Sequence, residues 1–315
     1  MAQDTVIINN FPTPSQLQFA AFNIGTLDTS QRTTSFSFAS PSSPSVYGSF
    51  ILSTSITGTY PNITFSGRRI MLVNTAGRTV SSNWVIDAPG GTVKLDSALS
   101  GPSITLTQGT FDANNYNVTI WSFSSNNSNI RQLIMGSGLW TLTFNGTIWD
   151  TGNTTNFTFN KGSANILSTD TSATTRTFSA GDLSYNKLTV GGGASTAIFS
   201  IANSANCRFS ELASTRTAAY TLNFASQQLV KIGKFSVSGS TGNVVTVRSS
   251  SGVTPQVLSI ESITRNVNYL DVQRVHIIEP NRFYVGLNSI DGGNIFNVFF
   301  SNAPSIATNN MLMMF

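Results

Sequence analysis

The sequence holds one histidine and one cysteine, so chemistry that needs nitrogen or sulfur ligands has a single candidate of each. His276 lies in Val275-His-Ile-Ile278, and the nearby acid, Glu279, falls on the opposite face of a strand. A general base or a metal site needs convergent partners, and no second histidine or cysteine cluster supplies them. A carbohydrate-cleaving enzyme would instead need grouped carboxylates, to bind Ca2+ or to serve as an acid and base about 5–9.5 Å apart. The acids stand singly: Asp87, Asp96, Asp112, Asp150, Asp170, Asp182, Glu211, Glu261 and Asp271. Only stacking of Asp112 on Asp150 would bring two of them together. Gly191-Gly-Gly193 is not followed by Gly-Lys-Ser/Thr and reads as a turn, not a phosphate loop. No residue is therefore assigned a catalytic, cofactor-binding or metal-binding role, and the expectation is a protein that is not an enzyme and has no cofactor.

Binding chemistry has more candidates. Trp84, Trp121, Trp140 and Trp149 could stack on sugar rings, although a tryptophan ring serves a core equally well, and core is the reading preferred here. The pairs Thr105/Thr107 and Thr141/Thr143 could order water on a flat face, but threonine is also an ordinary solvent-side strand residue. The formal charge of +4 and a pI near 9.4 suggest a nucleic-acid partner. The distribution argues against one, because only Arg68-Arg69 are adjacent and no basic stripe with interleaved aromatics exists.

These residues must be positioned by a body of unusual composition. There are 44 Ser, 39 Thr and 31 Asn, against 17 Lys+Arg and 13 Asp+Glu, so hydroxyls and amides hydrate the surface. With 40% apolar residues and 22 Phe, a sizeable core is within reach. Ser, Thr, Asn and Gly form helices poorly, whereas Thr, Val, Ile and Phe suit strands, so the expected class is all-β. Apolar runs fall far short of the about 18 residues of a membrane span, and no membrane association is expected. The first ten residues have neither basic nor apolar character of a secretory leader. Together with the lone Cys207 this fits folding in a reducing cytoplasm, where the six Asn-X-Ser/Thr sequons would not be glycan acceptors.

Short runs with apolar/hydroxyl alternation recur along the chain, among them Val118–Trp121, Trp140–Phe144, Leu188–Val190, Tyr220–Phe224, Val244–Val247 and Val257–Ile260. In one of them Phe235 and Val237 flank Ser236, which directs both apolar side chains to the interior. Leu106-Thr-Gln-Gly-Thr-Phe-Asp112 is echoed by Thr143-Phe-Asn-Gly-Thr-Ile-Trp-Asp150. Degenerate repetition of this kind predicts stacked coils, and a parallel β-helix or solenoid is the expected architecture. Residues 1–45, punctuated by Pro12, Pro14, Pro41 and Pro44, are expected as an extended N-terminal attachment arm. Residues 46–280 are expected as the solenoid body. The segment 281–315, with Ile295, Phe296 and Val298–Phe300 followed by Met311–Phe315, is expected as a C-terminal cap and tail.

Several stretches carry a family likeness: SAGDLSYNKLTVGGGAST, STRTAAYTLNFASQQ, FSVSGSTGNVVTVRSSSG, VNYLDVQ and FYVGLNSIDGGNIFNVFF. In them the sequence resembles the repetitive β-solenoid proteins of bacteriophage virions and of viral or bacterial surfaces. Val6–Pro12 is similar to short extended motifs near the start of some phage structural proteins. The usual family ending has Trp-Tyr and Gly-Trp where this chain has Phe283-Tyr284 and Asn297-Val298. The resemblance implies a structural protein of a bacteriophage virion, assembled in the host cytoplasm and exposed on capsid or tail for decoration or host-surface adhesion. Other virion proteins, met through the N-terminal arm, are the expected partners. Host-surface glycans and a homotrimeric assembly are further expectations, and nucleic acid is not. The alternatives are a carbohydrate-cleaving β-helix enzyme and a bacterial surface adhesin.

Overall fold

A computed structural model describes residues 4–10, 16–18, 23–39, 43–58, 60–193, 197–202, 206–225, 229–262 and 267–302. Every regular element among them is a β-strand, and every strand pairing is parallel. The chain winds through about 11 turns of a parallel β-solenoid, with a 19-stranded sheet, a 9-stranded sheet and two small ones.

Three sides can be followed. Side A begins at Asn23–Ile24, and from Ile63–Phe65 it runs through Trp84–Ile86, Ile104–Leu106, Phe123–Ser124 and Thr147–Asp150 to Ile290–Asp291. Side B begins at Thr5–Ile7 and runs through Thr26–Asp28, Phe50–Ile51 and Ile70–Val73 to Phe157–Asn160. Side C is the 9-stranded sheet from Leu99–Ser100 to Val275–Ile277. Gln16–Gln18, Phe36–Ala39 and Ile56–Thr57 take its place in the first turns. Trp84–Leu95 and Ile104–Asp112 are long because each turns the A/B corner without interruption and serves both sides.

Alternation decides what lies inside. On side A, in-register pairing stacks Ile63, Trp84, Ile104, Phe123, Trp149, Phe178, Ile201 and Phe224 into one continuous column, all essentially without solvent contact. The rings meet at 4.7 Å for Phe123 and Trp149, and Trp149 stacks on Phe178 at 5.6 Å. Such pairs add to the area term. Phe235 and Val237 are buried and Ser236 faces outward, as their alternation predicts.

Side B stops at Phe157–Asn160, and among the described residues the later turns carry only the A and C ladders. Tyr185 fills the space where the third side ends, 5.2 Å from Phe159 and stacked on Phe209 at 5.3 Å. Its buried hydroxyl donates to the Ala180 carbonyl (2.7 Å), accepts from Trp149 Nε1 (3.2 Å) and meets Thr151 Oγ1 (3.0 Å). Burial pushes the Tyr185 phenol far above its ordinary range, although the hydrogen bonds to Thr151 and Trp149 pull the other way.

Parallel pairing already runs through the segment expected as an arm, since Thr5–Ile7 pairs with Thr26–Asp28 and Asn23–Ile24 with Ser45–Val46. The change of character expected at residue 45 thus has no counterpart in the ladders. Pro12, Pro14 and Pro41 lie outside the described residues, as do Met311–Phe315 of the expected tail. At the other end Phe283–Tyr284 pairs with Val298–Phe299, and Phe283 meets Phe235 at 5.0 Å.

Val237→Asp would place an unpaired carboxylate in the interior and is expected to remove about 3–5 kcal/mol of stability. Ser236→Ala, on the outer face beside it, removes only a partly exposed hydrogen bond to Glu211 and is expected to cost less than about 1.5 kcal/mol. Urea melts of both variants check this, and equal midpoints would contradict the register.

Candidate functional site

The sequence-nominated residues are dispersed. His276 sits on the outer face of Val275–Ile277, its Nε2 3.3 Å from Asn294 Oδ1 and its ring 6.0 Å from that of Phe296. Among the described residues no group of three His, Cys, Asp or Glu side chains could hold a metal ion. Asp112 and Asp150 do not stack: Asp112 pairs with Ile134 on side B, Asp150 with Ser124 and Ser179 on side A. The repeat that suggested their meeting joins inequivalent positions, Gly109 lying within side B and Gly146 just before a side A strand.

Each of these acids has a local task instead. Asp112 Oδ1 accepts from the Asn114 amide (2.8 Å) and Asp150 Oδ1 from the Gly152 amide (3.2 Å), and Asp28 and Asp291 close equivalent turns at Ser30 and Gly293. A carboxylate two residues before a turn amide supplies the acceptor that the departing strand no longer provides. Trp84, Trp140 and Trp149 belong to the core, and Trp121 alone is open to solvent, at 43% exposure. Thr141 pairs with Thr119, but Leu167 follows in the next turn and breaks the row. Cys207 is buried. No helix is long and apolar enough to cross a membrane among the described residues.

What the sequence does not announce is a groove of about 690 Å3 on the A/B corner, crossing five successive turns. Its lining comes from Gly25-Thr26, Tyr47–Ser49, Ser66–Ile70, Asp87 with Pro89, and Gln108. The corner is tight because backbone packs directly on backbone there. A Cβ at Gly67 would stand 2.2 Å from the Tyr47 carbonyl oxygen, and one at Gly91 2.0 Å from the Gly67 carbonyl oxygen. No real Cβ tolerates such contacts, so the floor must be glycine. One wall is raised by a register break: Asp87 pairs with Gln108 and Thr92 with Thr110, so that Ala88–Gly91 stand opposite the single residue Gly109, with Pro89 and Gly90 exposed.

The charged groups of the groove are few. Asp87 is the one carboxylate in the lining, and its Oδ1 accepts from Gln108 Nε2. Arg68 and Arg69 are exposed and make no ion pair among the described residues. Ile70, 65% exposed, adds an apolar edge beside them. The arrangement offers hydroxyls, an amide, one carboxylate and two guanidinium groups to a ligand lying along the solenoid. It does not offer two carboxylates to a scissile bond.

Two other charge features are structural. Arg32, Arg131 and Arg176 are buried at turns between sides. Arg131 donates to Ser125 Oγ (2.8 Å) and to the carbonyls of Asn129 (2.9 Å), Thr155 (2.6 Å), Ser125 (2.9 Å) and Asn153, with Phe157 beneath it at 4.8 Å. Such a guanidinium ties several strand ends together, which a buried charge does only when its donors are satisfied. On side C, Lys187, Glu211 and Lys234 stack in register, the ammonium groups 3.4 and 3.5 Å from the carboxylate.

Two outcomes are expected. Gly91→Ala must displace the Gly67 backbone and is expected to cost about 1–3 kcal/mol, whereas Gly252→Ala, which meets nothing within 4 Å, should be nearly neutral in the same melts. For Glu211, burial pushes the carboxyl up, but Ser236, Lys187 and Lys234 together hold it below its ordinary value. A depressed folded-state pKa contributes stability above the unfolded value and loses it as pH falls through the folded one. Glu211→Gln should therefore be less stable than the parent at neutral pH, with the gap closing below about pH 4. A gap that persists unchanged to pH 2.5 would show that the carboxylate charge is not what matters. Comparison with protein-family models, with curated proteins and with solved structures finds no match for this chain.

Proposed function

We propose that the chain is a structural and binding protein of a bacteriophage virion, exposed on capsid or tail for decoration or adhesion to the host surface. The observation that carries this reading is the division of labour between interior and exterior. Aromatic and aliphatic columns fill the inside of the turns, so whatever the protein recognises must lie on its outside. There the surface is built of Ser, Thr and Asn and interrupted by the corner groove. The family likeness of residues 179–300 supports the setting.

Attachment through the first 45 residues belongs to the same proposal. Among the described residues Thr5–Ile7 pairs only with Thr26–Asp28, and Val6 and Ile7 are exposed at 38% and 57%. A strand edge of this kind can accept a strand from a neighbouring protein. The catalytic alternative is weaker because Asp87 has no second acid beside it in the groove. The bacterial adhesin shares the groove but differs in where the protein resides.

Antibody to the purified chain, applied to lysate particles and to intact cells and viewed by negative stain, separates these settings. Label on phage heads or tails is expected. Label confined to cell envelopes would replace the virion reading by the adhesin, and new reducing ends after incubation with capsular polysaccharide would restore the enzyme.

A further inference from the structure

We infer that the groove on the A/B corner binds a linear, carboxylate-bearing glycan, with Arg68 and Arg69 as the anion-recognising pair. The inference rests on the adhesion reading and gives it a ligand class. The first argument is shape. The groove takes its lining from five consecutive turns, beginning at Gly25 and ending at Gln108, and turns stack about 4.8 Å apart. Its length is thus roughly 20 Å along the solenoid axis, four such steps. That suits an extended polymer more than a compact metabolite.

The second argument is the floor. At Gly48, Gly67 and Gly91 a side chain is excluded by backbone oxygens of the preceding turn. Backbone of successive turns is thus packed tightly beneath the groove, and the hydroxyls of Thr26, Ser49 and Ser66 line it. Hydroxyls at short intervals match the alternating donors and acceptors of a sugar chain.

The third argument is charge. Arg68 and Arg69 are adjacent, exposed, both in the groove lining, and in no ion pair among the described residues. Guanidinium groups recognise carboxylates through paired, planar hydrogen bonds. Both arginines lie in one turn, so the ligand must present its anions sparsely. Nucleic acid fits this poorly, since it carries a charge at every nucleotide and asks for a basic track. Asp87 in the wall would repel a continuous phosphate backbone while accepting a sugar hydroxyl.

The test uses the full chain in solution, with no particles, so it stands or falls independently of virion localisation. Titration calorimetry at low salt compares hyaluronan, unsulfated chondroitin and heparosan, uronate polymers with one carboxylate per disaccharide, with methyl-esterified hyaluronan and a single-stranded oligonucleotide. The expected result is binding of at least one uronate polymer, weakened about tenfold or more by Arg68→Gln/Arg69→Gln and by esterification of the carboxylates. Lys161→Gln, outside the groove and in none of the ion pairs among the described residues, should bind as the parent does, and melting curves of both variants should match it. Failure of all three uronate polymers to bind, equal binding by the Arg68/Arg69 variant, or tighter binding of the oligonucleotide would each overturn the assignment.

Discussion

Everything in this molecule follows from one constraint, that each turn must lend its backbone hydrogen bonds to the turns before and after it. Parallel strands about 4.8 Å apart leave no room for water between them, and a turn that drifts out of register would strand its own peptide groups. Register in turn dictates composition. Like positions sit above one another, so the inner columns are mainly apolar and the outer rows mainly polar, with Ile70 and Trp121 among the exceptions outside. The side A column from Ile63 to Phe224 is the clearest result, with tryptophan, phenylalanine and isoleucine replacing one another at fixed height.

Corners are where the constraint is hardest to meet, and the chain answers it in several ways. Glycine lets backbone rest on backbone beside the groove. Aspartate and asparagine side chains replace the acceptor that a strand loses as it turns, and Asn114, Asn115, Asn156, Asn206, Asn294 and Asn297 adopt the left-handed backbone that asparagine tolerates best among residues with a side chain. Buried arginine is another answer, as at Arg131, whose five hydrogen bonds join separate strand ends. The groove arises from the same geometry: a tight glycine floor next to a wall that has slipped out of register.

Much of the fold was legible because alternation survives in single strands. Phe235-Ser236-Val237 states its orientation without help from its neighbours, and the scarcity of helix formers excludes other classes. The number of sides and the spacing of turns were not legible. Ile104 pairs with Phe123 after 19 residues and Trp149 with Phe178 after 29, so excursions between strands erase any fixed period. The echo at Gly109 and Gly146 was a likeness of turn chemistry at unlike places. Of the site, the Arg68-Arg69 pair was visible as the one adjacent basic pair, but its setting was not. Gly48, Gly67 and Gly91 lie 19 and 24 residues apart, and nothing local marks them as neighbours. The corner arginines left a faint signal, an aromatic residue four places on, as in Arg32…Phe36 and Arg216…Tyr220.

The ending of side B at Asn160 has a mechanical meaning. A three-sided prism resists flexing almost equally in every direction, whereas a slab of two sheets is soft across its thin dimension and stiff in its plane. On that principle the three-laddered section is the stiffer beam, and all five turns that line the groove belong to it.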